Sequence, residues 1–306
     1  MAIKNVINII THLRNAFRLL VKNDPMRLAG ATAFFTTFAL PPILLILIQL
    51  LSLVFEKKSI SRQLFQQLGD VIGRDSVRQL IRTLKGFTGL ADNLPLAIAG
   101  FIFLLFVATT LFKIIQSSIN QIWMIRRTGM HKFKMAYRNR IKSTLAILFA
   151  GLLFLMTIFA ESMKLLFGNY LHEMFPQIGF LFYGVVSAII SIMIVSLWFM
   201  AIFRYLPDGK PTWRVAFTGG LLTSILFHFG KYILGWLLPG SNIGELYGAS
   251  ASIVLLLLFV FYSSLIFYFG AAFTKVWSLY LEQPIIPIHN AQDYEYKEVG
   301  IKTVSE

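Results

Sequence analysis

The sequence has no cysteine, which excludes disulfides and thiolate metal sites. It has few charges, 14% of its 306 residues against roughly 25% in an ordinary soluble domain. A soluble fold of this length needs more polar surface to cover its core. Catalytic signatures are missing too. No two of the five histidines, His12, His131, His172, His228 and His289, lie within ten residues of each other, so there is no H-x-H or H-E-x-x-H pair. No Walker loop, G-x-S-x-G elbow or clustered acid pair is present. A nuclease needs acid/base groups or a metal beside a phosphate, and nothing in the sequence assembles one. The expectation is a protein that is not an enzyme and carries no cofactor.

What the chain has is apolar length. Hydrophobic residues make up 57% of it, and the mean hydropathy is +0.70. Residues 28–55, 174–203 and 246–274 carry no charge, 93–112 and 143–160 are shorter uncharged runs, and 215–238 carries only Lys231. About 18 or more apolar residues suffice to span a bilayer. These runs predict an all-α polytopic membrane protein with six transmembrane helices at 28–55, 94–123, 141–167, 178–203, 213–238 and 246–281. Amphipathic interfacial helices are expected in the N-terminal segment 1–27 and in the external segment 56–93, with a flexible cytoplasmic tail at 282–306. A five-span arrangement with one apolar block re-entrant is the alternative.

The net charge of +14 would suggest nucleic acid in a soluble protein. Here the basic residues lie between the spans and read as orientation signals. The N-terminal segment holds five Lys/Arg, the 2–3 loop seven and the 4–5 loop three, whereas the 3–4 and 5–6 loops have none. That alternation predicts a multi-pass membrane protein with both termini cytoplasmic, membrane phospholipids as partners, and no nucleic acid. The 1–2 loop, with seven basic residues, breaks the rule, and a basic face resting on lipid phosphates would account for it. The N-terminus lacks the small-residue cleavage site of a secretory signal.

Local patterns refine this. Val6, Ile9, Ile10, Leu13, Phe17 and Leu20 recur at helical spacing, while Arg14, Arg18 and Lys22 share another face. Ile60, Leu64, Leu68 and Ile72 form one stripe of the first loop, and Val77, Leu80, Ile81 and Leu84 another. Pro41 and Pro42 remove two backbone donors inside span 1, so a helix break is expected there.

Four stretches resemble the YihY/BrkB family of bacterial inner-membrane proteins, once taken for a ribonuclease. They are TAFFTTFALPPILLILIQL at 32–50, SINQIW at 118–123, FRYLPDGKPTWRVAFTGGLLTSILFHFGKYILGWLL at 203–238 and LYGASASIVLLLLFVFYSSLIFYFGAAFTKVW at 246–277. The resemblance implies six helical spans with both termini inside, and proposals for the family range over envelope integrity, serum resistance and transport. Members usually carry Gly-Ala-Glu late in span 6, where this chain has Gly270-Ala271-Ala272. A mechanism that uses that carboxylate is therefore not expected here.

Polar groups within spans are costly in hydrocarbon and therefore informative. Thr109, Lys113, Gln116, Ser117 and Asn120 fall on one face of span 2. Ser224, His228 and Lys231 share a face of span 5. Both faces read either as cavity lining or as structure: Gln116 and Asn120 bridging helices, Lys113 snorkelling, Lys231 pairing with a helix end or with Glu245. Lined by Lys113, Gln116, Asn120, His228 and Lys231, a cavity would suit an anionic substrate, a lipid or a small organic anion. Arg204 and Arg214, flanking the 4–5 turn with Asp208 and Lys210, are candidate lipid-phosphate contacts or plain interfacial anchors. Glu161 and Lys164 could pair in span 3. Trp123, Trp213 and Trp277 fall at span ends, as an aromatic belt would. A scaffold that organises envelope enzymes is the competing reading to a transporter.

Overall fold

The computed structural model describes residues 2–53, 56–72, 77–78, 80–82, 84, 94–128, 179–237, 251–288 and 291–295. Span 3, with Glu161 and Lys164, most of the basic 2–3 loop, Glu245 and His289 fall outside the described residues.

Seven helices are described: α1 (Ala2–Val21), α2 (Pro25–Leu51), α3 (Lys57–Ile72), α4 (Leu94–Ile122), α5 (Gly179–Tyr205), α6 (Trp213–Leu237) and α7 (Ala251–Tyr280). Within α5 and α7, Gly184–Tyr205 and Ile253–Tyr280 are long and apolar enough to cross a membrane. Within α2, Pro25–Pro41 and Ile43–Gln49 meet at a 43° bend and make a third such segment if taken as one broken span. The missing proline N–H groups and the ring clash with the preceding turn account for a bend at this point.

Helix α7 is the hub, packing against α1, α2, α4 and α6; α5 lies on α6, and α4 on α2. Paired glycines make two of these approaches close. A Cβ at Gly219 would strike Thr274 of α7, while one at Gly220 would come within 2.7 Å of the Ser196 carbonyl and the Met200 amide of α5. Without side chains, this dipeptide lets α6 press on a helix to either side. The far half of α2 takes a different partner. Leu44, Leu47, Ile48 and Leu51 form a separate apolar cluster with Ile60 and Leu64 of α3 and with Leu80, while Lys58 and Arg62 stay exposed.

One end of the bundle gathers the N-terminal start of α2, the ends of α4, α5 and α7, and the start of α6. Arg27 donates to Gln121 Oε1 across 3.3 Å, tying α2 to α4. Strand β1 (Ile125–Arg127) pairs antiparallel with β4 (Ala291–Asp293), and β2 (Gly209–Lys210) with β3 (Ile286–Pro287).

Two expectations are corrected here. The stretch of tail from Gln283 to Glu295 is not unstructured where it is described: it supplies β3 and β4 and buries Ile285 beside Trp123 and Ile125. Trp123 is not part of an aromatic belt. It is fully buried and donates Nε1–H to the Ala271 carbonyl of α7 at 2.9 Å. The apolar stripe of α1 also divides. Leu13, Ala16 and Leu20 face the core cluster that contains α7, whereas Ile9, Ile10 and Phe17 are exposed.

Candidate functional site

The turn after α5 carries the only acid between Glu173 and Glu245. Pro207 cannot continue the helix, and the next residue, Asp208, turns inward until its side chain is 1% exposed. A carboxylate taken out of water needs a cation and hydrogen bonds. Arg127 of β1 grips it with both arms of its guanidinium, Nη2 to Oδ1 at 2.6 Å and Nε to Oδ2 at 2.7 Å. From α4, Gln116 Nε2 donates to Oδ1 at 3.2 Å and Asn120 Nδ2 to Oδ2 at 2.7 Å. The Asn120 side-chain oxygen Oδ1 in turn accepts the Asp208 backbone amide at 2.9 Å. The Asp208 carbonyl accepts the Ile288 amide of the tail at 2.8 Å. Four donors fill the roughly four lone-pair sites of a carboxylate. Asp208 is thus a clasp that joins α4, β1, the α5–α6 turn and the tail, with no free lone pair for proton abstraction. Among the described residues no group of three His, Asp or Glu side chains could hold a metal ion.

A second polar node lies within the bundle. Tyr268 of α7 is fully buried and meets Thr32 of α2 across 2.5 Å. Thr32 spends its own proton on the Leu28 carbonyl at 2.9 Å, so Tyr268 must donate to Thr32. The order Tyr268 to Thr32 to Leu28 satisfies each hydroxyl and couples α7 to α2.

The candidate cavity residues are divided between these elements. Gln116 and Asn120 spend their amides on Asp208. Lys113, three residues before Gln116, is exposed. On α6, Ser224 donates to the Ile192 carbonyl of α5 at 2.8 Å. His228 is half-buried with Nδ1 at 2.9 Å from the Ser224 carbonyl, which makes Nδ1 the protonated nitrogen. Lys231 is half-buried one turn further on. The principal neighbours of α4 are α2 and α7, and those of α6 are α5 and α7. Among the described residues, no hydrogen bond joins Lys113, Gln116 or Asn120 to His228 or Lys231.

Pro41 is buried at the bend in α2, and the side chain of Pro42 lies outside the described residues. Arg204 donates Nη1–H to the Pro211 carbonyl and lies 5.3 Å from the centre of the Trp213 ring. Arg214 is exposed. Sequence reasoning missed the role of Asp208 and Arg127. The available signal was a lone acid in a proline turn among basic loops, which requires a cation from elsewhere in the chain.

The family model described as "Virulence factor BrkB" matches residues 16–284. A UPF0761 membrane protein of Pseudomonas paraeruginosa is 30% identical over 251 residues, covering 79% of this chain and 57% of that protein. Those of Saccharophagus degradans (24% over 263 residues, 85% of this chain and 58% of that one) and Psychromonas ingrahamii (28% over 267 residues, 83% of each) are also similar. The chain thus spans a little over half the length of the first two of these relatives. No solved structure matches it.

Proposed function

The chain belongs to the BrkB virulence-factor family of membrane proteins, and from that premise we propose that it handles an anionic substrate, a phospholipid or a small organic anion, within a six-span bundle of the bacterial inner membrane. Both termini are cytoplasmic in this reading. Helix α1 lies along the membrane surface, its exposed Ile10, Phe17 and Val21 toward lipid and its exposed Arg14, Arg18 and Lys22 toward phosphates.

The observation that carries the proposal is Lys231. It sits half-buried on an apolar helix, and no carboxylate among the described residues pairs with it. From Lys231 the helix runs on to Leu237, six residues or about 9 Å. Helical side chains lean toward the helix N-terminus, so Lys231 is aimed away from that nearer end and snorkelling runs against its geometry. An ionisable group so placed is a functional-site hypothesis by default. Native mass spectrometry of the protein in mild detergent tests it. The wild type should retain an anionic lipid or organic anion that Lys231→Met loses. The same bulk phospholipids on both would sink the proposal.

The scaffold reading has one observation in its favour: Gln116 and Asn120 serve the Asp208 clasp, which removes two groups from the cavity lining. A scaffold would tolerate Lys231→Met, and crosslinking in cells would capture its partners.

A further inference from the structure

We propose that the turn between α5 and α6 binds the phosphate of an anionic phospholipid headgroup, with Arg214 as the ligand and the Tyr205–Trp213 pair as the wall that seats the lipid. This rests on the membrane-spanning part of the reading above and is independent of Lys231.

The first support is position. Tyr205 closes the apolar helix Gly184–Tyr205, and Trp213 opens α6 eight residues later. Their rings meet edge to face at 6.1 Å, yet Tyr205 is 61% and Trp213 52% exposed. Amphipathic rings at the end of a span belong at headgroup depth.

The second is charge. The segment 204–214 holds Arg204, Lys210 and Arg214 against a single acid, Asp208. That acid is buried and taken by Arg127, so its charge does not offset the basic residues at the surface. Among the described residues no carboxylate pairs with Arg204, Lys210 or Arg214. Exposed Glu282 adjoins this site through Gln283, whose side chain accepts the Thr212 hydroxyl, and the local balance stays positive.

The third is division of labour between the two arginines. Arg204 is anchored on the Pro211 carbonyl and lies over the Trp213 ring, so it fixes the indole. Arg214, the next residue in the chain, is exposed and makes no ion pair among the described residues, which leaves its guanidinium for a ligand with two acceptor oxygens. A free phosphate offers the same oxygens. The exposed aromatic wall at a span end favours the lipid.

The test uses the full chain in mild detergent, titrated in native mass spectrometry with short-chain phosphatidylglycerol, phosphatidylcholine and inorganic phosphate. The wild type should prefer phosphatidylglycerol to phosphatidylcholine, and Arg214→Gln should weaken that preference about fivefold. Arg214 is exposed, so the variant should fold, and an unchanged melting temperature verifies this. Lys231→Met should keep the preference while losing its own retained substrate, so each reading fails on its own variant. An unchanged preference in Arg214→Gln overturns the proposal, as does inorganic phosphate competing as well as the lipid.

Discussion

Thr223 of α6 and Thr274 of α7 hold matching places across the crossing of their helices. Each donates its hydroxyl to the carbonyl of the glycine one turn back in its own helix, Gly219 and Gly270, at 2.7 Å. Each also fills the space a Cβ would need on the other helix's glycine, Thr274 at Gly219 and Thr223 at Gly270. Hydroxyls with internal acceptors can be pressed into a dry interface without leaving a polar group unpaired. Gly270→Ala should therefore drive a methyl group into the Thr223 hydroxyl. Overpacking of this kind costs about 1–3 kcal/mol. The better helix propensity of alanine returns up to about 1 kcal/mol. A lowered melting temperature in detergent, restored in part by adding Thr223→Ala, is the expected result. A variant as stable as wild type would mean the interface has slack that the crossing does not show.

The Asp208 clasp should be sensitive to removal of either charge. Asp208→Asn puts an amide donor against the Arg127 guanidinium and leaves it without its counter-charge. Breaking a buried pair from one side costs about 3–5 kcal/mol. Arg127 is 16% exposed, so water can reach it and the lower end of that range applies. Thermal unfolding of Asp208→Asn, Arg127→Gln and the double variant measures the coupling. The double should cost less than the sum of the singles. Strict additivity would show that the pair contributes no interaction of its own.

The helices were legible because hydrocarbon leaves a long, periodic mark on sequence. The bend at Pro41–Pro42 was legible for an equally local reason, the absent donors. Faces were readable as well: the spacing of Gln116 and Asn120 put both on one side of α4, where both reach Asp208. The partner was not readable, because Asp208 lies 88 residues beyond Asn120 and one contact across that distance leaves no repeat. Trp123 misled because a tryptophan at a span end looks the same in sequence whether its N–H meets headgroups or the Ala271 carbonyl. The tail misled for a different reason. Two strands of two and three residues fall below any detectable alternation, and the polar residues around them outweighed Ile285.

The tail gives the last prediction. Ile285 is buried in a pocket floored by Gly209 and walled by Trp123 and Ile125; a Cβ on Gly209 would lie 2.6 Å from its side chain. Truncating a buried isoleucine to alanine costs about 2–5 kcal/mol. Among the described residues the tail's other holds include the β1–β4 and β2–β3 pairs, the Ile288 amide on Asp208, the Tyr294 amide on the Met124 carbonyl, Gln283 on Thr212 and on the Ser278 carbonyl, and the small buried side chain of Ala291. The loss should therefore appear as local release of the tail, with the helices intact. A cost of about 2 kcal/mol raises the open population about thirtyfold, and cleavage of a transiently open segment follows that population when reclosing is fast. Limited proteolysis of Ile285→Ala should cut between Gln283 and Glu295 about thirtyfold faster than wild type, while helical circular dichroism is unchanged. Because Ile288 bonds the Asp208 carbonyl, Asp208→Asn should accelerate the same cleavage. If Asp208→Asn lowers the melting temperature but leaves tail cleavage at the wild-type rate, the clasp and the tail are independent.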